Sequence, residues 1–138
     1  MDKPYLFINT VNSNLPSFAI FDEKGNVETF KFINKQENLN KNLSLFFKRN
    51  RLDIKDIKAV LALTGPGSFS ASRAGVVFAN SFNFLQSAPI LGIKDEEGKT
   101  MVDILKKYTK KLKNLNKDAK AEVYYKHKPN ITFPKKTE

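Results

Sequence analysis

The residues best placed to do chemistry form one turn, Thr64–Ser70 (TGPGSFS), between an apolar run and a helical pattern. A glycine-rich turn leading from a buried strand into a helix is where many folds hold phosphate. The first helix amides lack partners there, and the helix dipole favours anions. This turn has neither the lysine and spacing of a P-loop nor the GxGxxG fingerprint. The competing reading is structural. Gly65 and Gly67 permit unusual backbone angles, Pro66 stiffens the turn, and Ser68 or Ser70 caps the next helix. The structural reading is preferred, so Leu61–Gly75 is expected to be strand, turn and helix start without a catalytic role.

Other constellations are thinner. The chain has no cysteine and one histidine, His127, which excludes disulfides, thiolate metal sites, cysteine nucleophiles and multi-histidine centres. His127 lies near the end of the sequence without an acid or nucleophile beside it, and reads as a solvated side chain. Asp95–Glu97 reads as an acidic helix start favoured by the dipole, not as a metal site. Arg73, in a first helical turn, is expected to pair with a carboxylate or with loop carbonyls. No catalytic residue, metal or cofactor is therefore assigned.

The elements that position these residues follow from period. YLFIN, SFAIF and VETFKFI read as three strands, with Gly25–Asn26 in a hairpin turn between the last two. The reading is an antiparallel meander. Over residues 35–51, Leu39, Leu43, Phe46 and Phe47 fall on one helical stripe, with Leu45 nearly opposite. Asp53–Lys58 is a polar turn, and Ala59–Thr64 is a strand buried on both faces.

A helix over Ser70–Gln86 places Ala71, Ala74, Gly75, Phe78, Phe82 and Leu85 on one face. Arg73, Val77, Asn80 and Phe84 form a second, partly apolar stripe. A helix apolar on two sides needs cover on two sides, and its own sheet supplies only one. Ile90–Ile93 reads as a strand, Met101, Leu105, Tyr108 and Leu112 as a helical stripe, and Ala121–Tyr125 as a strand with which Asn130–Phe133 pairs. A meander followed by alternating helix and strand gives an α/β fold with one mixed sheet, the plan of a single ribonuclease H/actin-like (ASKHA) lobe. Enzymes of that superfamily carry an acid in the first hairpin; here the position is Asn9, and an amide is a poor Mg²⁺ ligand and no base.

Composition sets the outer bounds. A chain of 138 residues, 41% hydrophobic and 28% charged, suits one globular domain. No apolar run approaches a membrane span, and the opening segment does not read as a signal peptide, so a cytoplasmic protein is expected. The formal charge is +10, and the 45 residues after Ile93 carry 13 Lys/Arg against 7 Asp/Glu. Lys106, Lys107, Lys110, Lys111 and Lys113 are candidates for RNA phosphate contact, with a solvated helix face as the alternative.

The stretch from Ile57 to Ile93 resembles the signature region of the TsaB (YeaZ) family. Thr64, Gly65, Pro66, Gly67, Ser68 and Phe69 match as TGPGSF, followed by the helix-start Arg73 and Gly75. LFINTVNSNLPSFAIFD is similar to that family's opening hairpin, and Asp118–Tyr125 to the first strand of its second lobe. Departures are Asn9 for the family's Asp, Ser70–Ala71–Ser72 for Thr-Gly-Leu, and an end soon after AEVYY. The resemblance implies a lobe over residues 1–117 and a second-lobe remnant over 118–138.

It also implies a role. TsaB is the non-catalytic subunit in making N6-threonylcarbamoyladenosine at position 37 of tRNA. It pairs with a TsaD-type transferase through the two lobe helices, and a TsaE-type ATPase joins at that dimer. Leu45, Val76, Val77 and Phe84 are the expected partner interface, with a homodimer through the same helices when isolated. A basic module contacting tRNA, directly or within the complex, is the second reading. A nucleotide-dependent actin-like enzyme is the third.

Overall fold

The computed structural model describes residues 4–31, 39–66, 69–96 and 98–120, and for residues 69–72 the backbone only. Five strands are described: β1 (Tyr5–Asn9), β2 (Phe18–Phe21), β3 (Val27–Phe30), β4 (Val60–Leu63) and β5 (Ile90–Ile93). They form one sheet in the order β3-β2-β1-β4-β5. The meander pairs are antiparallel, with Ile8 opposite Phe18 and Phe18 opposite Phe30. The β1–β4 and β4–β5 pairs are parallel, with Phe7 level with Leu61 and Leu61 with Leu91. β1, β2 and β4 are buried at every position, as the apolar runs predict for strands covered on both faces.

The strand period of two sorts their side chains into two cores. On one face Leu6, Ile8, Phe18, Ile20, Val60 and Ala62 meet helices α1 (Leu39–Arg49) and α2 (Phe69–Gln86). On the other, Tyr5, Phe7, Phe21, Leu61 and Leu63 meet α3 (Met101–Lys113). Phe18 is the hub of the first core, its ring centroid 6.3 Å from Phe46 and 6.2 Å from Phe78. Such aromatic pairs add directional energy to a large buried area. On α1 the predicted stripe buries Leu43, Phe46 and Phe47 and rests Leu39 against the core.

Local chemistry fixes the ends. In the β2–β3 turn Gly25 adopts φ 92°, and Asp22 Oδ1 accepts from the amides of Lys24 and Asn26, both at 3.0 Å. The Asn26 side-chain amide also donates to Asp22, and that bond holds the Asp22 carboxyl below the usual carboxylate range. α3 opens with a capping box: Asp103 N donates to Thr100 Oγ1 at 3.2 Å, and Thr100 N donates to Asp103 Oδ2 at 3.0 Å. Among the described residues no helix is long and apolar enough to cross a membrane.

Four expectations change. The acidic helix start is Asp103, six residues beyond Asp95–Glu97 at its nearest, because Thr100 supplies the cap. α2 begins at Phe69, so Ser70 lies inside the helix and is not its cap. The polar turn Asp53–Lys58 holds a single 3-10 turn, Ile54–Asp56. The buried face of α2 is rotated towards Val76 and Ala79, which leaves Ala74 and Leu85 exposed. Residues 32–38, Gly67, Ser68, Glu97 and 121–138 lie outside the described residues. With them go the end of the VETFKFI strand, the start of the helix expected from residue 35, both C-terminal strands and His127.

Candidate functional site: the glycine turn and the helical face

The C-terminal ends of β1, β4 and β5 converge below the glycine turn. Thr64, leaving β4, is 1% exposed; its amide and its Oγ1 both donate to the Ile93 carbonyl, at 2.9 and 3.2 Å. Gly65 takes φ 133°, a conformation suited to glycine, and its carbonyl accepts from Asp95 N at 2.6 Å. The Gly65–Pro66 peptide is cis. The turn is thus pinned to the strand beside it by three bonds.

Asn9 is 4% exposed and fully employed. Its Nδ2 donates to the carbonyls of Asn12 at 2.7 Å, Pro16 at 3.0 Å and, more weakly, Leu15 at 3.4 Å. Its Oδ1 accepts from the amides of Val11 at 3.0 Å and Asn12 at 2.9 Å. One amide therefore clamps both sides of the β1–β2 loop. This position is a structural lock that requires a donor and an acceptor together, which a carboxylate cannot be. Asn12 in turn donates through Nδ2 to Asp95 Oδ2 at 2.9 Å, tying that loop to the end of β5. Asp95 Oδ1 is buried without a hydrogen-bond partner in the structure.

Gly75 shows why the helix-start motif needs a glycine. A Cβ there would collide with Thr10 Oγ1, so a larger residue fits between α2 and the loop after β1 only if the Thr10 side chain moves. Arg73, two residues earlier, is exposed, and among the described residues no carboxylate lies within salt-bridge distance of it. The side chain of Phe69 and the whole of Gly67 and Ser68 are outside the description.

The remaining candidates divide by exposure. Val77 is 62% and Phe84 78% exposed on α2, and Leu45 is 40% exposed on α1, all three on helices of the same sheet face. Val76 departs from the expected interface: it is 7% exposed and belongs to the chain's own core. One position along a helix turns the side chain by about 100°, which separates Val76 from Val77. Sequence reasoning missed Leu85, 71% exposed beside Phe84, having assigned it to the buried face. Val77, Phe84 and Leu85 thus leave three large apolar side chains open on one helix.

On the opposite sheet face, Lys106, Lys107, Lys110, Lys111 and Lys113 are all exposed along α3. Lys107 pairs with Glu96 at 2.8 Å, which raises the lysine and lowers the carboxyl from their ordinary values. Lys113 approaches Glu23 at 3.8 Å. Glu23 also accepts from the Tyr5 hydroxyl at 2.9 Å, and burial with that bond pushes the Tyr5 phenol up to about 12. Glu23 was not singled out in the sequence, because its partners come from β1, β4's approach and α3.

With this geometry established, comparison with known proteins is informative. A family model described as TsaD, tRNA N6-adenosine threonylcarbamoyltransferase, matches residues 33–128. No curated protein matches. Among solved structures, "YeaZ from Pseudomonas aeruginosa" aligns at TM-score 0.53 and 17% identity, over 69% of this chain and 45% of that one. An uncharacterized protein with similarity to peptidase YEAZ, also from Pseudomonas aeruginosa, aligns at TM-score 0.54 and 18% identity, over 69% of this chain and 44% of that one. The chain thus spans less than half the length of the structures it matches. The match to the family covers most of the sequence: the chain belongs to the TsaD family, and its fold is similar to that of YeaZ.

Proposed function

We propose that this chain is a TsaB-like, non-catalytic scaffold that binds and stabilises a TsaD-type threonylcarbamoyl transferase during formation of N6-threonylcarbamoyladenosine at position 37 of tRNA. The observation that carries the reading is the open apolar stripe of α2, Val77, Phe84 and Leu85, on a helix whose other side is already spent on its own sheet. Leu45, on the other helix of that sheet face, is also exposed. The non-catalytic part rests on Asn9, whose amide is committed to the β1–β2 loop where related enzymes hold an acid.

In this reading the 1–117 lobe carries that face, and the 118–138 segment is a remnant of a second lobe. In isolation the same stripe pairs two copies of this chain, and a TsaE-type ATPase joins the heterodimer. Mass measurement of the isolated chain and of its mixture with the transferase tests the reading. A one-to-one complex that replaces the self-associated form is expected. A transferase that leaves the mass of this chain unchanged refutes it.

A further inference from the structure

The sheet separates two unlike surfaces, and the second has no role in the scaffold reading. α1 and α2 cover one face and α3 the other. α3 buries Ile104, Leu105 and Leu112 against the sheet. Lys106, Lys110 and Lys113 stand at i, i+4 and i+7, about 150° around the helix from that buried side. Lys117 and Lys120 continue the basic run beyond the helix end, both exposed.

The acids nearby offset only part of the charge of this stripe. Asp103, the one acid of α3, accepts from Thr100 in the capping box and also attracts Lys106, which helps hold its carboxyl below the usual range. Glu96 is paired with Lys107 and Lys99, away from the stripe. Glu23 reaches Lys113 at 3.8 Å while shared with Lys58 and the Tyr5 hydroxyl. Among the described residues Lys106, Lys110, Lys117 and Lys120 make no salt bridge.

We infer that this stripe is a contact surface for the phosphate backbone of RNA, on the side of the sheet opposite the partner helices. The charge pattern argues for a polyanion. Lys106 to Lys113 span about 10 Å along the helix, the reach of a few consecutive phosphates. A lipid surface is the poorer match, because an interfacial helix inserts its apolar face and that of α3 is buried in the core. The choice of RNA among polyanions rests on the proposed place of the chain in a tRNA-modifying assembly; the charge geometry does not. Two separate faces let one chain hold a protein partner and RNA together.

Fluorescence anisotropy of a labelled tRNA transcript with the full chain tests this without the transferase. With about five phosphate contacts, affinity falls by roughly 10²–10³-fold between about 50 and 200 mM salt. The triple variant K106Q/K110Q/K113Q reduces the slope of log affinity against log salt by about 3. K41Q/K48Q/K55Q removes the same charge from the α1 side and leaves the slope unchanged. V77E/F84E also retains RNA binding, so failure of the partner reading and failure of this one are told apart. Equal losses for the two lysine triples, or no salt-dependent binding, overturn the inference. So does equally tight binding to phosphatidylserine vesicles that is lost in the same α3 variant.

Discussion

Replacing Asn9 by Asp puts an acid at the end of β1, and the hydrogen bonds there predict that this destabilises the protein. Nδ2 donates to the Asn12 and Pro16 carbonyls at 2.7 and 3.0 Å; in Asn9→Asp an oxygen faces those oxygens instead. Each buried group left without a partner costs about 1–3 kcal/mol, and more when charged. The carboxylate escapes part of this by taking a proton, which from an ordinary value near 3.9 costs about 4 kcal/mol at pH 7. The neutral acid then donates to one carbonyl and leaves the other unserved. The loss at pH 7 is therefore about 3–5 kcal/mol, a large share of the ~5–15 kcal/mol that holds a domain folded.

The pH sign follows. A carboxyl raised in the folded state binds more protons there than in the unfolded chain, so its stability contribution falls as pH rises from the unfolded towards the folded value. The deficit of Asn9→Asp relative to the native chain narrows as pH drops from 7 towards 5. Urea unfolding of both proteins at the two pH values measures it. Equal stability at pH 7, or a deficit that does not change with pH, refutes the lock.

Three further outcomes are expected. Gly75→Ala forces Thr10 aside and costs about 1–3 kcal/mol; adding Thr10→Ala recovers part of that loss, seen as a non-additive double-mutant cycle in thermal or urea melts. Val76→Ala lowers stability by about 1–3 kcal/mol through the space left in the core, while Val77→Ala changes it by less than ~0.5 kcal/mol. The Tyr5 phenol is raised to about 12 in the folded state, so stability it contributes is complete below about pH 10 and lost as pH rises through the folded value. Tyr5→Phe flattens that alkaline limb in pH-dependent unfolding, and an unchanged limb contradicts the assignment.

Much of the fold was legible because period and burial coincide. β1, β2 and β4 are apolar runs in a sheet covered twice, and the α1 and α3 stripes carry their large residues on one side. The phase of α2 was harder. It is apolar nearly all round, so Val76 and Leu85 exchange roles on a modest rotation, and the fully buried Ala79 carries no size signal. The Asn9 lock is local, closing within seven residues, and an Asn ending a buried strand before a turn was its one visible sign. Asn12–Asp95 spans 83 residues and Gly75–Thr10 about 65; no spacing in one sequence announces either.

The scaffold reading is tested most directly by calorimetric titration of the TsaD-type transferase into the native chain and into V77E/F84E. Both side chains are more than half exposed, so the variant keeps the native melting curve. Two charges placed at interface anchors are expected to weaken binding by roughly 10³-fold. Undiminished affinity for the folded variant would contradict the account.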